Sequence, residues 1–253
     1  MDKNPVYPEA LIDALRASRH VCVLSGSGIS AESGVPTFRE AQTGLWKKFD
    51  PHELATPEAF LRDPELIWRW YRWRRELVAK VEPNAGHRAL VDLASQVREF
   101  TLITQNVDGL HQRAGSDNVI EFHGNIFEDR CFVEGCVVAD ARDVSSAVPA
   151  CPACGGQLRP GVVWFGEAIP EDALDKAMAA ASTCDLFFSI GTSSLVWPAA
   201  GLADTARAAG ARIVEVNPNP TPLSDMSDFC LSGNAGTVLP ELVSRLLASE
   251  LRA

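Results

Sequence analysis

The sequence predicts an α/β protein, a parallel sheet covered by helices on both faces with a smaller second lobe inserted into it. Three observations carry this reading. Short, near-continuous apolar runs end abruptly in small or polar residues. Stretches with helical apolar spacing lie between them. Two segments break the alternation.

In chain order, a helical pattern covers residues 7–18, and "HVCVLSGSG" (20–28) then runs from a strand into a glycine turn. Helical patterns follow at 65–81 and 86–97. "EFTLITQNVDG" (99–109) reads as a strand stopping at Gln105-Asn106, and "NVIEFHG" (118–124) as one stopping at His123. A helix over 171–182 leads to "CDLFFSIGTSS" (184–194), which ends in Gly191-Thr192-Ser193. A helix over 199–209 leads to "ARIVEVNPN" (211–219), which ends at Asn217, and a last helix covers 238–251. Ligands of such sheets sit at the carboxyl ends of the strands, where each of these polar clusters falls. Residues 40–85 are loop plus an aromatic, charged helix, and 126–160 hold four clustered cysteines with little periodicity. The expected division is therefore a large domain from 1–44, 86–125 and 161–253, with 45–85 and 126–160 forming a small one.

The chain has 253 residues, 46% of them hydrophobic, enough for one large domain with an insert. A formal charge of −10 and the lack of any long basic run argue against direct nucleic-acid binding. No apolar run approaches a membrane span, and "MDKNPVYPEA" lacks a basic start and a hydrophobic signal core, so a soluble cytoplasmic protein is expected. Of seven cysteines, Cys131, Cys136, Cys151 and Cys154 cluster. Cys22, Cys184 and Cys230 read as buried or inert thiols. The odd count without a signal peptide argues against a disulfide framework.

Gly26, Gly28 and Ala31 fit G-x-G-x-x-A directly after a strand, a turn that lets a pyrophosphate approach backbone N–H groups at a helix start. A glycine turn without a ligand is the alternative. The acidic residue expected some 20 residues on is missing, because "GLWKKFDPHE" does not read as a strand, so a plain dehydrogenase is disfavoured. Asn217 is a candidate ribose anchor. The cysteines read C-x4-C-x14-C-x2-C, and four thiolates complete a tetrahedral zinc shell, making the site structural. A redox C-x-x-C at Cys151 and Cys154 is the rival. His123, at a strand end followed by glycine, is a candidate general base, since neutral imidazole accepts a proton near pH 7. A hydrogen-bonded core histidine is the alternative. Gln105, Asn106 and Asp108 supply an amide pair and a carboxylate nearby, or simply form a turn.

In "WRWYRWRRELVAK" (68–80), Ile67, Trp70, Tyr71, Leu77 and Val78 make one apolar helix face, and Arg74 occupies a slot within it. Buried arginine needs a partner. Arg74 either snorkels or pairs with a carboxylate of the protein, or it receives an anion carried by a substrate.

"GSGISAESGVPTFR", "TQNVDGLH", "EFHG", the four cysteines, "GVVWFGE", "GTSS" and "VNPN" occur in an order that resembles the sirtuins, NAD-dependent protein lysine deacylases, across residues 21 to about 238. "PNAGHRAL" and "ELATPEAF" add to the likeness. The resemblance implies a Rossmann-type large domain and a small zinc domain, with NAD and acyl-lysine meeting between them. It implies that the acyl oxygen attacks C1′ of the nicotinamide ribose as nicotinamide leaves. His123 then activates the ribose 2′-hydroxyl, and free lysine and O-acyl-ADP-ribose result. It assigns Asn106 and Asp108 to the ribose and nicotinamide ends, and Gln105 to the ribose. The remaining cofactor contacts it implies are Gly26, Ser27, Gly28, Ala31 and Glu32, then Thr37, Phe38, Arg39 and Trp46 of the following loop. Val107, Gly191, Thr192, Ser193, Asn217, Pro218, Asn219 and Ala235 complete that set. Val163, Trp164 and Phe165 are assigned to the acyl-lysine tunnel and peptide groove.

Sirtuins that prefer acidic acyl groups carry Tyr-x-x-Arg on the small-domain helix, matched here by Tyr71 and Arg74, and Ala55 matches the small residue that admits a longer acyl chain. Succinyl and malonyl lysine are thus expected substrates beside acetyl-lysine. ADP-ribosyl transfer, or NAD binding without turnover, is the rival function. Three departures stand out: Ser27 where alanine is usual, C-x4-C where C-x2-C is commonest, and a slightly longer "REAQTGLW" loop.

Overall fold

The computed structural model describes residues 7–36, 54–138 and 146–250. Thr37, Phe38, Arg39 and Trp46 lie outside the described residues.

The elements in chain order begin with α1 (Glu9–Ala17), β1 (His20–Ser25) and α2 (Ser27–Ala31). Next come α3 (Pro57–Arg62), α4 (Pro64–Ala79), α5 (Ala85–Gln96), β2 (Glu99–Thr104), α6 (Leu110–Ala114) and β3 (Ile120–Glu121). They are followed by β4 (Gly124–Cys131), β5 (Val137–Val138), β6 (Leu158–Val162), α7 (Glu171–Thr183) and β7 (Leu186–Ile190). The last are α8 (Gly201–Ala208), β8 (Arg212–Asn217), β9 (Phe229–Ser232) and α9 (Ala235–Glu250).

Six parallel strands form one sheet in the order β3-β2-β1-β7-β8-β9, the Rossmann-type arrangement. The largely apolar central strands explain why. β1 and β7 are buried along their whole length, so each must be covered on both faces. One face packs Leu11, Leu90, Leu93, Val238 and Leu242 of α1, α5 and α9, and the other packs Ala177, Ala181, Leu202 and Ala206 of α7 and α8. The strand order reverses between β1 and β7, the point beyond whose carboxyl ends sheets of this kind form a ligand crevice.

The three-stranded antiparallel sheet β5-β4-β6 falls in the segment expected to lack periodicity. Pro160 and Gly161 inside β6 hid its pattern. It packs on α3 and α4 through Phe60, Trp68, Trp70, Tyr71, Ile126, Leu158 and Trp164. Buried indoles need a partner for their N–H, and Trp68 donates to the Leu158 carbonyl at 2.8 Å. Arg75 ties the helix to β4, donating to the Glu128 carbonyl at 2.9 Å and to Asp129 at 2.7 Å, and also to the Ile126 carbonyl. Asp63 and Thr56 cap α4 and α3, their side chains accepting from Leu66 N and Ala59 N.

Three expectations are corrected. β9 was not foreseen, because its four residues FCLS are too short to show a pattern. Cys230 lies on it and is exposed, so of the three thiols read as buried or inert only Cys22 and Cys184 are buried. The strand expected to run up to His123 is reduced to Ile120–Glu121, an edge strand.

The turns after β1 and β7 touch backbone to backbone. Gly28 N donates to Gly191 O at 2.8 Å, and a Cβ on Gly28 would stand 2.7 Å from the Gly191 Cα. Gly28→Ala should therefore lower stability by about 1–3 kcal/mol, read as a reduced urea midpoint. An unchanged midpoint would mean the two turns are not held in contact.

Candidate active site

Every polar cluster at a carboxyl strand end turns toward the β1/β7 crevice, and the clusters are joined to one another. After β2, the buried Asn106 donates through Nδ2 to the Gly26 carbonyl at 3.0 Å and to Ser30 Oγ at 3.1 Å. Ser30 Oγ donates to Asp108 Oδ2 at 2.7 Å, and Leu110 N donates to Asp108 Oδ1 at 3.0 Å. Burial pushes the Asp108 carboxyl above its ordinary pKa, and the Leu110 and Ser30 donors oppose that. Gln105 Nε2 donates to Thr192 Oγ1 at 3.2 Å, and Asn217 Nδ2 donates to the Thr192 carbonyl at 2.7 Å. One threonine thus links the ends of β2, β7 and β8.

The glycine turn differs from expectation in one respect. Gly26 N donates to Ile190 O and Gly28 N to Gly191 O, so neither amide is available to a pyrophosphate. What the two glycines supply is the missing side chain, since a Cβ on either would strike Gly191 or Thr192 within 3 Å. Ser27 is half-buried beside them, Ala31 and Glu32 are exposed, and the Glu32 carboxylate accepts from Gly236 N at 2.6 Å, next to the buried Ala235. Pro218 and Asn219 are exposed beyond β8, Val107 and Ser193 are half-buried, and Gly191 and Thr192 are buried.

His123 lies in the turn between β3 and β4, half-buried, and its Nδ1 is 3.0 Å from the Gln105 carbonyl. A carbonyl only accepts, so Nδ1 carries the hydrogen and Nε2 keeps the lone pair. Burial lowers the His123 pKa, against the effect of the Gln105 bond, so the ring is neutral at pH 7. A neutral imidazole with one fixed N–H and, among the described residues, a lone pair without a donor is what a general base requires. The backbone here is held tightly: Val163 N donates to the His123 carbonyl at 2.8 Å, and the following Gly124, at φ +77°, lies against Gly161.

On the other side of the crevice stand Ala55, Val163, Trp164 and Phe165. Phe165 N donates to the Ala55 carbonyl at 2.9 Å. Ala55 and Trp164 are buried, Val163 is half-buried and Phe165 is exposed. Tyr71 is buried, with its ring edge-on to Trp70 at 4.7 Å, and its hydroxyl accepts from Trp164 Nε1 at 2.9 Å. The Arg74 guanidinium lies 5.1 Å above the Trp70 ring and is half-buried. Burial lowers its pKa, while Tyr71 and Asp108 raise it, so it sits within electrostatic reach of both the phenol and the strand-end carboxylate. Helix spacing predicted that Tyr71 and Arg74 share a face, and both pack on Trp70.

The Sγ atoms of Cys131, Cys151 and Cys154 lie within 4.8 Å of one another, with Cys131 and Cys154 at 3.5 Å. A zinc–sulfur distance of about 2.3 Å gives a tetrahedral edge of roughly 3.8 Å, so the spacing fits. Glu134 N and Gly156 N donate to Cys131 and Cys154 sulfurs at 3.4 Å, the turns a thiolate knuckle uses. Cys136 stands outside this group, although its carbonyl accepts from Cys131 N at 2.9 Å.

Residues 26–198 match the Sir2 family, which is more than half of the chain. The chain belongs to the Sir2 family. It is similar to NAD-dependent protein deacylase 1 of Pseudomonas aeruginosa, at 49% identity over 93% of this chain and 98% of that one. Among solved structures, it resembles a Sir2 homolog–NAD complex with a TM-score of 0.91, 43% identity and coverage of 98% and 97% of the two chains. It also resembles a Sir2 bound to acetylated peptide, at TM-score 0.83 and 31% identity over 98% of this chain and 100% of that one.

Sequence reasoning on this Sir2 protein passed over the polar groups beneath the crevice. His87 Nδ1 accepts from Asn84 N at 3.3 Å, leaving Nε2–H toward Ser30 Oγ at 3.5 Å. His111 Nε2 lies 2.8 Å from Ser25 Oγ, which itself donates to Thr104. The rings of His87 and His111 meet edge to face at 4.9 Å. "PNAGHRAL" contained His87, but only the fold shows that it is buried under the Ser30–Asp108 pair.

Two predictions follow from this geometry. Burial lowers the pKa of His87 to about 4 and that of His111 to about 3, so both are neutral in the folded protein. The unfolded chain takes up protons on them below about pH 6.5, so stability falls as pH drops from there toward 4, by up to about 1.4 kcal/mol per histidine per pH unit. Raised carboxyls such as Asp108 oppose this at the acid end. Urea midpoints should be lower at pH 5 than at pH 7.5, and equal midpoints would contradict neutral burial. For His123→Ala, turnover should fall roughly 10²- to 10⁴-fold with cofactor binding, measured by calorimetry, retained. Near-normal turnover would place the base elsewhere.

Proposed function

We propose that this protein uses NAD to remove acyl groups from protein lysines, acting on succinyl and malonyl lysine, whose acyl groups end in a carboxylate, as well as on acetyl-lysine. Family membership and the names of its relatives support deacylation. The acyl range rests on one observation, that Tyr71 and Arg74 pack on the same indole beside Trp164 and within reach of the Asp108 loop.

NAD supplies an electrophilic ribose carbon that takes the acyl oxygen as nicotinamide leaves. Asn106, Asp108, Gln105, Thr192 and Asn217 form the polar rim on which the ribose and nicotinamide are held. Thr37, Phe38, Arg39 and Trp46, outside the described residues, are assigned to the same cofactor. Gly26 and Gly28, assigned to the same cofactor, act by letting the turn after β1 close against Gly191 and Thr192. His123 accepts the ribose 2′-hydroxyl proton at Nε2. Ala55, Val163, Trp164 and Phe165 shape the lysine tunnel. A phenol hydroxyl and a guanidinium then meet the distal carboxylate, where charge-assisted hydrogen bonds are strongest. Cys131, Cys136, Cys151 and Cys154 are assigned to one structural zinc that closes the small domain. This requires Cys136 to move toward the other three sulfurs as the metal binds.

Arg74→Met keeps the stem and deletes the charge. The succinyl-lysine kcat/KM should fall at least about 10- to 100-fold, since hydrogen bonds to charged groups contribute about 1.5–3 kcal/mol each. The acetyl-lysine rate should hold or rise. Equal loss on both peptides would mean that Arg74 serves Asp108 within the protein and reads no substrate. For the metal, atomic absorption should find about one zinc per chain and Cys151→Ser should lose it together with small-domain folding. A metal-free, fully folded and active protein would remove zinc from the account.

A further inference from the structure

The acyl-carboxylate reading uses the Tyr71 hydroxyl but leaves open what aims it. A phenol has one hydrogen, and its oxygen can also accept. The Trp164 indole N–H donates to that oxygen at 2.9 Å, and an indole nitrogen can only donate. The direction of this bond is therefore fixed: Tyr71 accepts from Trp164, and its own hydrogen must point elsewhere. Among the described residues, no group accepts that hydrogen. Burial pushes the Tyr71 pKa up to about 12, with the Arg74 charge opposing, so the hydrogen stays in place at neutral pH.

The indole is itself held on several sides. The Arg159 guanidinium lies 3.5 Å from the centre of the Trp164 ring, and the Phe60 ring packs at 5.4 Å. Arg159 is buried and pairs with Glu167 through both of its terminal nitrogens, and it also donates to the Val162 carbonyl at 2.8 Å. The same Glu167 accepts from the Trp164 main-chain N–H at 2.8 Å. One carboxylate therefore fixes both the backbone of Trp164 and the cation stacked on its ring. So firm a mounting exceeds what a residue that merely fills tunnel volume requires.

We infer that Trp164 is a positioning residue for acyl-group selection: its indole N–H occupies a lone pair of Tyr71 and turns the phenol hydrogen toward the acyl carboxylate, with the Arg159–Glu167 pair holding the indole in register. The inference rests on the reading of Tyr71 and Arg74 as receptors of that carboxylate. Without the indole donor the phenol rotor is free, and part of its population points its hydrogen away from the substrate. The rotor still points at the substrate part of the time, so the loss expected is a fraction of the phenol–carboxylate bond, about 3- to 10-fold.

A double-mutant cycle tests this. Trp164→Phe, Tyr71→Phe and the double variant are assayed on one peptide carrying succinyl-lysine or acetyl-lysine, with kcat and KM determined separately. Trp164→Phe should lower the succinyl-to-acetyl ratio of kcat/KM about 3- to 10-fold, chiefly through KM for the succinyl peptide, and this drop should vanish in the Tyr71→Phe background. No drop, or one of the same size in both backgrounds, overturns the inference and leaves Trp164 as a tunnel wall. If Tyr71→Phe alone leaves the ratio unchanged, the carboxylate reading has failed, and the inference falls with it. Should Trp164→Phe not fold, Glu167→Gln takes its place in the cycle. A smaller drop in the ratio that disappears with Tyr71→Phe supports the inference, and no drop or a persistent one overturns it.

Discussion

The contact between the glycine turn after β1 and Gly191 after β7 is the constraint on which the rest of the site depends. Only backbones without side chains can come so close, with Gly28 and Gly191 Cα and carbonyl atoms inside the reach of a single added methyl group. That contact sets the position of α2, and with it Ser30, which receives Asn106 and holds Asp108. It also sets Thr192, to which Gln105 and Asn217 are tied. Each polar group of the crevice is therefore located by main-chain geometry before any ligand arrives. Preorganised dipoles of this kind stabilise developing charge without having to reorient.

The side that carries Tyr71, Arg74 and Trp164 is built on a different principle. There, aromatic rings and arginines interleave: Arg72 and Arg75 lie over Trp68, Arg74 over Trp70 and Arg159 over Trp164. Arg75 also joins α4 to β4 through the Glu128 carbonyl, Arg72 joins α4 to the Ser146 carbonyl, and Arg159 donates within β6 to Val162. Arg74 differs in the company it keeps, with Tyr71 on its own helix and Asp108 across the crevice both bearing on its charge. A cation that both a phenol and a carboxylate already favour is the group proposed above to answer to a second carboxylate entering with the substrate.

Much of this was legible in the sequence because parallel sheets write themselves plainly. Apolar runs such as "HVCVLS" and "LFFSI" have to be buried on both faces, and their polar ends mark the ligand side. The ordered motifs assigned His123, Asn106 and Asp108 to one site, and the fold joins Asn106 to Asp108 through Ser30 and His123 to the Gln105 carbonyl. What stayed hidden has physical reasons as well. β4 to β6 carry Pro160, Gly161 and charged residues, so their pairing depends on partners distant in sequence. The commitment of the Gly26 and Gly28 amides to β7 and its turn is a matter of tertiary hydrogen bonding that no local pattern announces. The His87–His111 pair arises from two helices separated in sequence, and its neutrality follows only from burial.

The central claim is that this crevice couples NAD cleavage to removal of an acidic acyl group from lysine. Its most direct test is mass spectrometry of all products from a succinyl-lysine peptide incubated with the protein, with and without NAD. The account predicts free lysine peptide, nicotinamide and O-succinyl-ADP-ribose in equal amounts, and none of them without NAD. Succinyl loss in the absence of NAD, or NAD cleaved while the peptide stays succinylated, would contradict it.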